Sequence, residues 1–191
     1  ERRAAAGIVA AVTLPAPKVT VGMAVYGGEA YIAEAISSVL AESFQDWELV
    51  LVNDASPDNS VGVIRTFSDP RIRLLENATN QGLVAVRNRI MVEAHGTYLA
   101  WLDQDDLSLP SRLSTQVAYL DANPEVAVCG SWTQMRHQAL DGSVTTTTER
   151  LPQRHEQIRA AMAFLNPISC NTVMMRRSAF AERELVFREQ F

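Results

Sequence analysis

"KVTVGMAVYGGEAYIAEAISSVLAESFQDWELVLVNDASPDNS" occupies residues 18–60, and its change of rhythm from strand to helix and back to strand decides the fold. Residues 18–25 are rich in β-branched and apolar side chains and stop at Tyr26-Gly27-Gly28. The next segment sets Ile32, Ile36, Val39 and Leu40 on one helical face. "WELVLV", residues 47–52, is a continuous apolar run of the kind that a strand covered on both faces requires, and it ends at Asn53-Asp54. Ser56-Pro57 then predicts an N-cap with proline at the first helical position.

The same alternation continues outward. "RIRLLE" at 71–76 reads as a third strand, 82–95 as a helix, "TYLAWL" at 97–102 as a fourth strand, 111–121 as a helix and "EVAVCGSW" at 125–132 as a fifth strand. Apolar strands separated by helices predict an α/β fold: a mainly parallel sheet with helices on both faces and right-handed crossovers. Ligands of such sheets bind outside the carboxyl ends of the strands. The polar punctuation falls at those ends: Tyr26 after the first strand, Asn53 and Asp54 after the second, Asn77 to Asn80 after the third, Asp103 and Asp105 after the fourth. Four strands are therefore expected to aim polar groups into one crevice.

The fourth strand runs into "LAWLDQDDLSLP", residues 99–110, where three carboxylates fall within four positions. Like charges so close need water or a cation to compensate them. One explanation is a solvated loop closed by Pro110, with an Asp or Ser108 capping the helix from Ser111. The other is a divalent metal site, since hard cations take carboxylate oxygens and are often completed by those of a bound phosphate. The shared crevice favours the second.

Composition bounds the rest. A chain of 191 residues, 47% hydrophobic and 20% charged with a net charge of −5, is that of an ordinary globular protein and argues against general nucleic-acid affinity. Its two cysteines, Cys129 and Cys170, lack metal-ligand spacing and suit a reduced, cytoplasmic setting. His95, His137 and His155 are isolated and read as structural or exposed residues. Residues 1–17 carry Arg2 and Arg3 before a short apolar run that is too short to cross a bilayer, and Pro15 and Pro17 end it. They read as a linker or an expression remnant, and no other stretch reaches transmembrane length.

From Lys18 to Trp132 the chain resembles the nucleotide-binding half of the inverting GT-A glycosyltransferases of family 2, with its motifs in family order, and "NPISCNTVMMRRSAF" resembles a later family segment. The resemblance implies a nucleotide-sugar-binding region over 18–133 and a partial acceptor-side region of the same domain over 134–191. It implies that Val25, Tyr26 and Glu29 belong to the turn beneath the base, and that Asn53 and Asp54 grip base and ribose. Arg87, with Asn88, would lie beside the diphosphate. Asp103, Gln104 and Asp105 form the D-x-D that meets ribose and metal, with Asp103 and Asp105 as ligands of a divalent cation, Mn2+ or Mg2+. The implied donor is a nucleotide-diphospho-sugar, UDP-linked by preference, and the implied acceptor a glycan or lipid-linked hydroxyl in bacterial cell-surface glycan synthesis. The protein would be cytoplasmic, either free or held peripherally at the inner face of the membrane.

Four positions depart from the family pattern: Asn53 replaces the commoner Asp, Gly27 a usual Asn, Ile90 a usual helix Gly, and Cys170 a frequent His. The family's catalytic base is an acid downstream of "MMRRSAF", and neither Glu184 nor Glu189, each beside an Arg, matches it. The base is therefore expected beyond Phe191. Two other functions compete: a nucleotide-sugar-binding module without transfer activity, and a receiver or haloacid-type phosphotransferase. The latter needs an acidic nucleophile after the first strand, where this chain has Tyr26-Gly27.

Overall fold

The structure is a computed structural model that describes residues 16–139 and 141–188. The linker expected over 1–17 and Glu189 thus lie largely or wholly outside the described residues. Strand β1 (Val19–Val25) sits third in a six-stranded sheet of order β3 (Ile72–Glu76), β2 (Trp47–Asn53), β1, β4 (Tyr98–Trp101), β8 (Met174–Arg176), β5 (Val128–Cys129). It pairs in parallel with β2 (Trp47–Asn53), Val19 opposite Trp47 through Val25 opposite Asn53, and with β4 (Tyr98–Trp101), Val19 opposite Tyr98. Strand β3 (Ile72–Glu76) extends the parallel set beyond β2.

The central strands β1, β2 and β4 are largely apolar because each feeds two cores. On one face Val19, Val21, Met23, Leu49 and Leu51 pack with α1 (Ile32–Leu40), α2 (Ser60–Ile64) and α4 (Arg112–Ala122). On the other, Val50, Val52, Leu99 and Trp101 meet Val86 and Ile90 of α3 (Leu83–Glu93). Gly22 of β1 permits that second contact: a Cβ there would lie 2.5 Å from the Ile90 side chain. Ile90, at a position where glycine is usual in the family, is thus received by a glycine on the facing strand.

Two sequence expectations need correction. Ser56-Pro57 does not start a helix. The Ser56 hydroxyl is engaged by Asn53 Oδ1 and by the Gly27 N–H, and α2 begins only at Ser60, where Asp58 Oδ1 accepts from the Ser60 N–H at 3.1 Å. The fifth strand shrinks to β5 (Val128–Cys129), because its partner is short and comes from far along the chain. That partner, β8 (Met174–Arg176), enters antiparallel between β4 and β5. The intervening chain makes a separate two-stranded ribbon, β6 (Thr133–Gln138) with β7 (Val144–Glu149), then α5 (His155–Ala161) and a 3-10 turn at Cys170–Thr172. A short helix, α6 (Arg177–Ala181), follows β8. No helix among the described residues is long and apolar enough to cross a membrane.

Candidate functional site

The carboxyl ends of β1, β2 and β4 open, with the start of α3, onto one cavity of about 310 Å³ whose wall includes Tyr26, Asp54, Asn80, Arg87, Asp103 and Asp105. The predicted crevice is therefore present, and most of the residues expected in it line it.

Asp54 follows β2 and is 3% exposed. Its carboxylate accepts from Asn77 Nδ2 at 2.6 Å, from the Gln81 N–H at 2.9 and 3.0 Å, and from the Gly82 N–H at 2.8 Å. The carboxylate thus takes up the backbone donors just ahead of α3, and the loop from β3 to α3 is tied to β2. Asn77, which reads as plain loop in the sequence, is one of these ties. Asn53 faces another way: its Oδ1 accepts from both the N–H and the hydroxyl of Ser56 and so shapes the turn after β2. In that turn Ala55 holds a positive φ of 55°, a backbone state that surrounding structure must impose on a non-glycine residue.

The loop after β1 is fixed from two sides. Gln104 accepts from the Tyr26 N–H and donates to the Tyr26 carbonyl, both at 3.0 Å, so the middle residue of the D-x-D joins the end of β1 to the end of β4. Gly28 packs against that amide, since a Cβ there would lie 2.4 Å from Gln104 Oε1. Gly28 and Glu29 donate to Ser60 Oγ and Asp58 Oδ2, while Glu29 Oε2 accepts from the Asn59 N–H at 3.0 Å. Glu29 therefore braces the neighbouring loop and is not on the cavity wall. The Tyr26 ring is half exposed at the rim, and Val25 is buried beneath it.

Asp103 meets Arg87 of α3, Nη2 to Oδ1 at 3.4 Å. Burial pushes the Asp103 carboxyl above its ordinary range; Arg87 opposes the shift, and Asp106 and Asp105 add to it. Asp105 stands exposed at the lip. A carboxylate short of compensating charge, beside a second one facing the cavity, fits a divalent cation. Among the described residues no group of three or more His, Cys, Asp or Glu could hold a metal ion, and of these residues Asp103 and Asp105 would supply two ligands. The remainder would have to be ligand oxygens and water, as is usual where Mg2+-type ions meet phosphates.

Two supports of this corner were not legible in the sequence. Asn171 Nδ2 donates to Asp106 Oδ2, bringing the 3-10 turn against the acidic loop, and Gln116 Nε2 donates to the Thr172 carbonyl at 2.7 Å. Arg112, partly buried, donates to the Trp101 carbonyl at 2.7 Å and fixes the end of β4; desolvation lowers its pKa to about 10. Cys170 lies in the same turn, its thiol pushed up by burial, with Arg87 opposing and Asp103 adding to the shift. Asn88, expected beside the diphosphate, bonds instead to the backbone of Phe187. Apart from the Arg112 bond, these contacts join residues 56 to 99 positions apart, and no local pattern announces them.

The profile of the family described as Glycosyl transferase family 2 matches residues 20–183. A glycosyltransferase of Haemophilus influenzae without a characterised function is 31% identical over 182 residues, which are 92% of this chain and 56% of that protein. The Escherichia coli UDP-Glc:alpha-D-GlcNAc-diphosphoundecaprenol beta-1,3-glucosyltransferase WfgD is 32% identical over 124 residues, 65% of this chain and 49% of that one. Among solved structures, S. aureus TarS in complex with UDP-GlcNAc superposes with a TM-score of 0.66 at 19% identity, over 90% of this chain and 48% of that one. The mannosyltransferase PcManGT of Pyrobaculum calidifontis, in complex with GDP-Man and Mn2+, gives 0.67 at 18%, over 91% and 48%. The chain thus spans about half the length of the relatives it matches, and the structural likeness establishes a GT-A fold.

Proposed function

The chain belongs to glycosyl transferase family 2, and on that premise we propose that its cavity is the donor site of an inverting sugar transfer. The donor is a nucleotide-diphospho-sugar, by preference UDP-linked, and the acceptor is the hydroxyl of a glycan or lipid-linked sugar in bacterial cell-surface glycan synthesis. The observation that carries this is that Arg87, Asp103 and Asp105 line one cavity together with Asp54 and Tyr26, with Arg87 in contact with Asp103. A guanidinium with two carboxylates suits a metal-bound diphosphate, and the half-exposed Tyr26 ring suits a base. The WfgD donor and acceptor, and the nucleotide sugars bound by TarS and PcManGT, support that choice of chemistry.

In this scheme the acceptor oxygen attacks the anomeric carbon as the bond to the diphosphate breaks, through an oxocarbenium-like state with inversion. Arg87 offsets charge that develops on the departing diphosphate, a contribution of about 3 kcal/mol by comparison with single oxyanion donors. A divalent cation held by Asp103 and Asp105 would, when bound, add charge neutralisation at that leaving group. Asp54 holds the loop at the start of α3 and presents the nucleoside end. The three carboxylates of the wall are committed to these tasks, so we place the base that takes the hydroxyl proton outside the cavity wall, downstream of residues 174–180 as the family resemblance implies. Glu184 lies in an exposed turn after α6 and is not assigned the role.

The test is a calorimetric and thermal-shift series with uridine, UDP, UDP-glucose and GDP-mannose, each with and without Mn2+. The expected result is UDP-sugar binding strengthened by Mn2+, with a stabilisation of about 2.7 kcal/mol at a hundredfold excess over Kd. Absence of any nucleotide binding would overturn the donor-site assignment. Binding with no transfer to any sugar acceptor, even when the complete protein is used, would leave a nucleotide-sugar-binding module.

A further inference from the structure

Residues 185–188 leave α6 and pass beside α3. There the side-chain amide of Asn88 pairs with the backbone of Phe187 in both directions: Nδ2 donates to the Phe187 carbonyl at 3.0 Å, and the Phe187 N–H donates to Oδ1 at 2.8 Å. The Phe187 ring stands edge-on to Trp101, with centroids 5.7 Å apart and planes at 81°. The guanidinium carbon of Arg87 lies 5.6 Å from the Phe187 centroid and 5.8 Å from that of Trp101. Its direct bond to Asp103 is long, at 3.4 Å. A lone contact of that length cannot fix a side chain with four rotatable torsions. Two aromatic rings within cation–π range can.

From this geometry we infer that Asn88 and Phe187 are positioning residues: they hold the 185–188 segment against α3 so that Phe187 and Trp101 keep the Arg87 guanidinium turned toward the phosphate end of the cavity. The inference rests on the donor-site assignment and gives Asn88 a task other than direct contact with the diphosphate. Trp101 is the last residue of β4 and only 2% exposed, so one side of the clamp is built into the sheet. The other side is Phe187, which is held by the Asn88 amide and partly exposed. Arg87 can turn from Asp103 to an incoming diphosphate without leaving either ring. Its ordering is done before the ligand arrives.

The experiment compares wild type with Phe187→Ala, Phe187→Tyr, Asn88→Ala, Arg87→Ala and the double variant Arg87→Ala/Phe187→Ala. Affinities for UDP and for uridine are measured by calorimetry with Mn2+ present, alongside each variant's unfolding midpoint. Phe187→Ala and Asn88→Ala should weaken UDP about three- to tenfold, as expected for releasing one cation–π partner and one long side chain, and leave uridine unchanged. Phe187→Tyr keeps the ring and should stay within about twofold of wild type on the same grounds. The double variant should be no weaker than Arg87→Ala alone, because the ring acts only through the guanidinium. Equal losses for UDP and uridine, or additive losses in the double variant, would overturn the inference. A silent Phe187→Ala beside a UDP-selective Arg87→Ala would refute the brace while sparing the donor site. Failure of the wild type to bind UDP would remove both. Should Phe187→Ala not fold, Asn88→Ala carries the comparison.

Discussion

Replacing Asp54 by alanine should cost the fold as much as the ligand. The carboxylate is 3% exposed and receives three donors, Asn77 Nδ2 and the N–H groups of Gln81 and Gly82, at 2.6 to 3.0 Å. Hydrogen bonds to a charged acceptor contribute about 1.5–3 kcal/mol each. The two backbone donors lie in a loop that water can reach in part, which recovers some of that loss. A net cost of about 3 kcal/mol follows, equivalent to about 6–12 °C in Tm for a chain of this size. Asp54→Asn keeps one acceptor oxygen but turns an amide donor toward the others, and should cost roughly half as much. Urea unfolding of the three proteins under one set of conditions gives the differences directly, provided the m-value is unchanged. Nucleoside affinity should fall in parallel, since the loop that Asp54 ties includes Asn80 and Gly82 of the cavity wall. If Asp54→Ala unfolded within about 1 kcal/mol of wild type, the carboxylate would not be the tie between β2 and α3, and its place in the cavity would need another cause.

Asp105→Ala should abolish the Mn2+-dependent part of UDP affinity with an unchanged unfolding midpoint, because its side chain is exposed at the lip; equal calorimetric affinity in Mn2+ would contradict the cation assignment. Gly28→Ala drives a Cβ to 2.4 Å from Gln104 Oε1, so it should break the clamp on Tyr26 and cost about 1–3 kcal/mol, read by chemical denaturation. Glu42, 1% exposed, has its carboxyl pushed up by burial against bonds from Ser108 Oγ and the Leu113 N–H. A raised folded pKa means that the native state holds the proton more tightly. Its stability contribution is therefore complete below the ordinary Glu range near 4.5 and is lost as pH rises through the folded value. The stability of wild type relative to Glu42→Gln should accordingly fall as pH rises above 4.5, and a flat difference would refute the burial effect.

How much was legible in advance depended on how local each signal was. The runs at 18–25 and 47–52 match β1 and β2 to within one residue, because a strand covered on both faces is apolar at nearly every position, the mutually bonded Thr20 and Glu48 excepted, and such runs are hard to mistake. The Ser56-Pro57 signal failed because the serine hydroxyl and Asn53 satisfy each other across the turn, so no capping oxygen was left for a helix. β8 and the ribbon of β6 with β7 were not foreseen, and the fifth strand was overextended, since its pairing depends on a segment some fifty residues away. In the site, Asp54, Arg87, Asp103 and Asp105 all fell on the expected cavity, being fixed by strand ends and one helix turn. Glu29, Asn53 and Asn88 instead turned to backbone partners nearby or far along the chain. A short polar residue beside an unpaired N–H is claimed by it, and the sequence does not say which N–H will be there.

The insertion of β8 between β4 and β5 bears on how the chain folds as it is made. Strands β1 to β4 pair in parallel within the first hundred or so residues, and can assemble as soon as they are free. The open edge of β4, however, waits for Arg176 to come opposite Tyr98, 78 positions later. Until then Tyr98, Leu99 and Ala100 present unpaired backbone to solvent, a template for pairing with another chain. Contacts of such sequence separation are slow to form. The acidic loop that follows β4 therefore acquires its Asn171 support only when that last strand is seated, so the phosphate end of the cavity should be among the last parts of the molecule to become native.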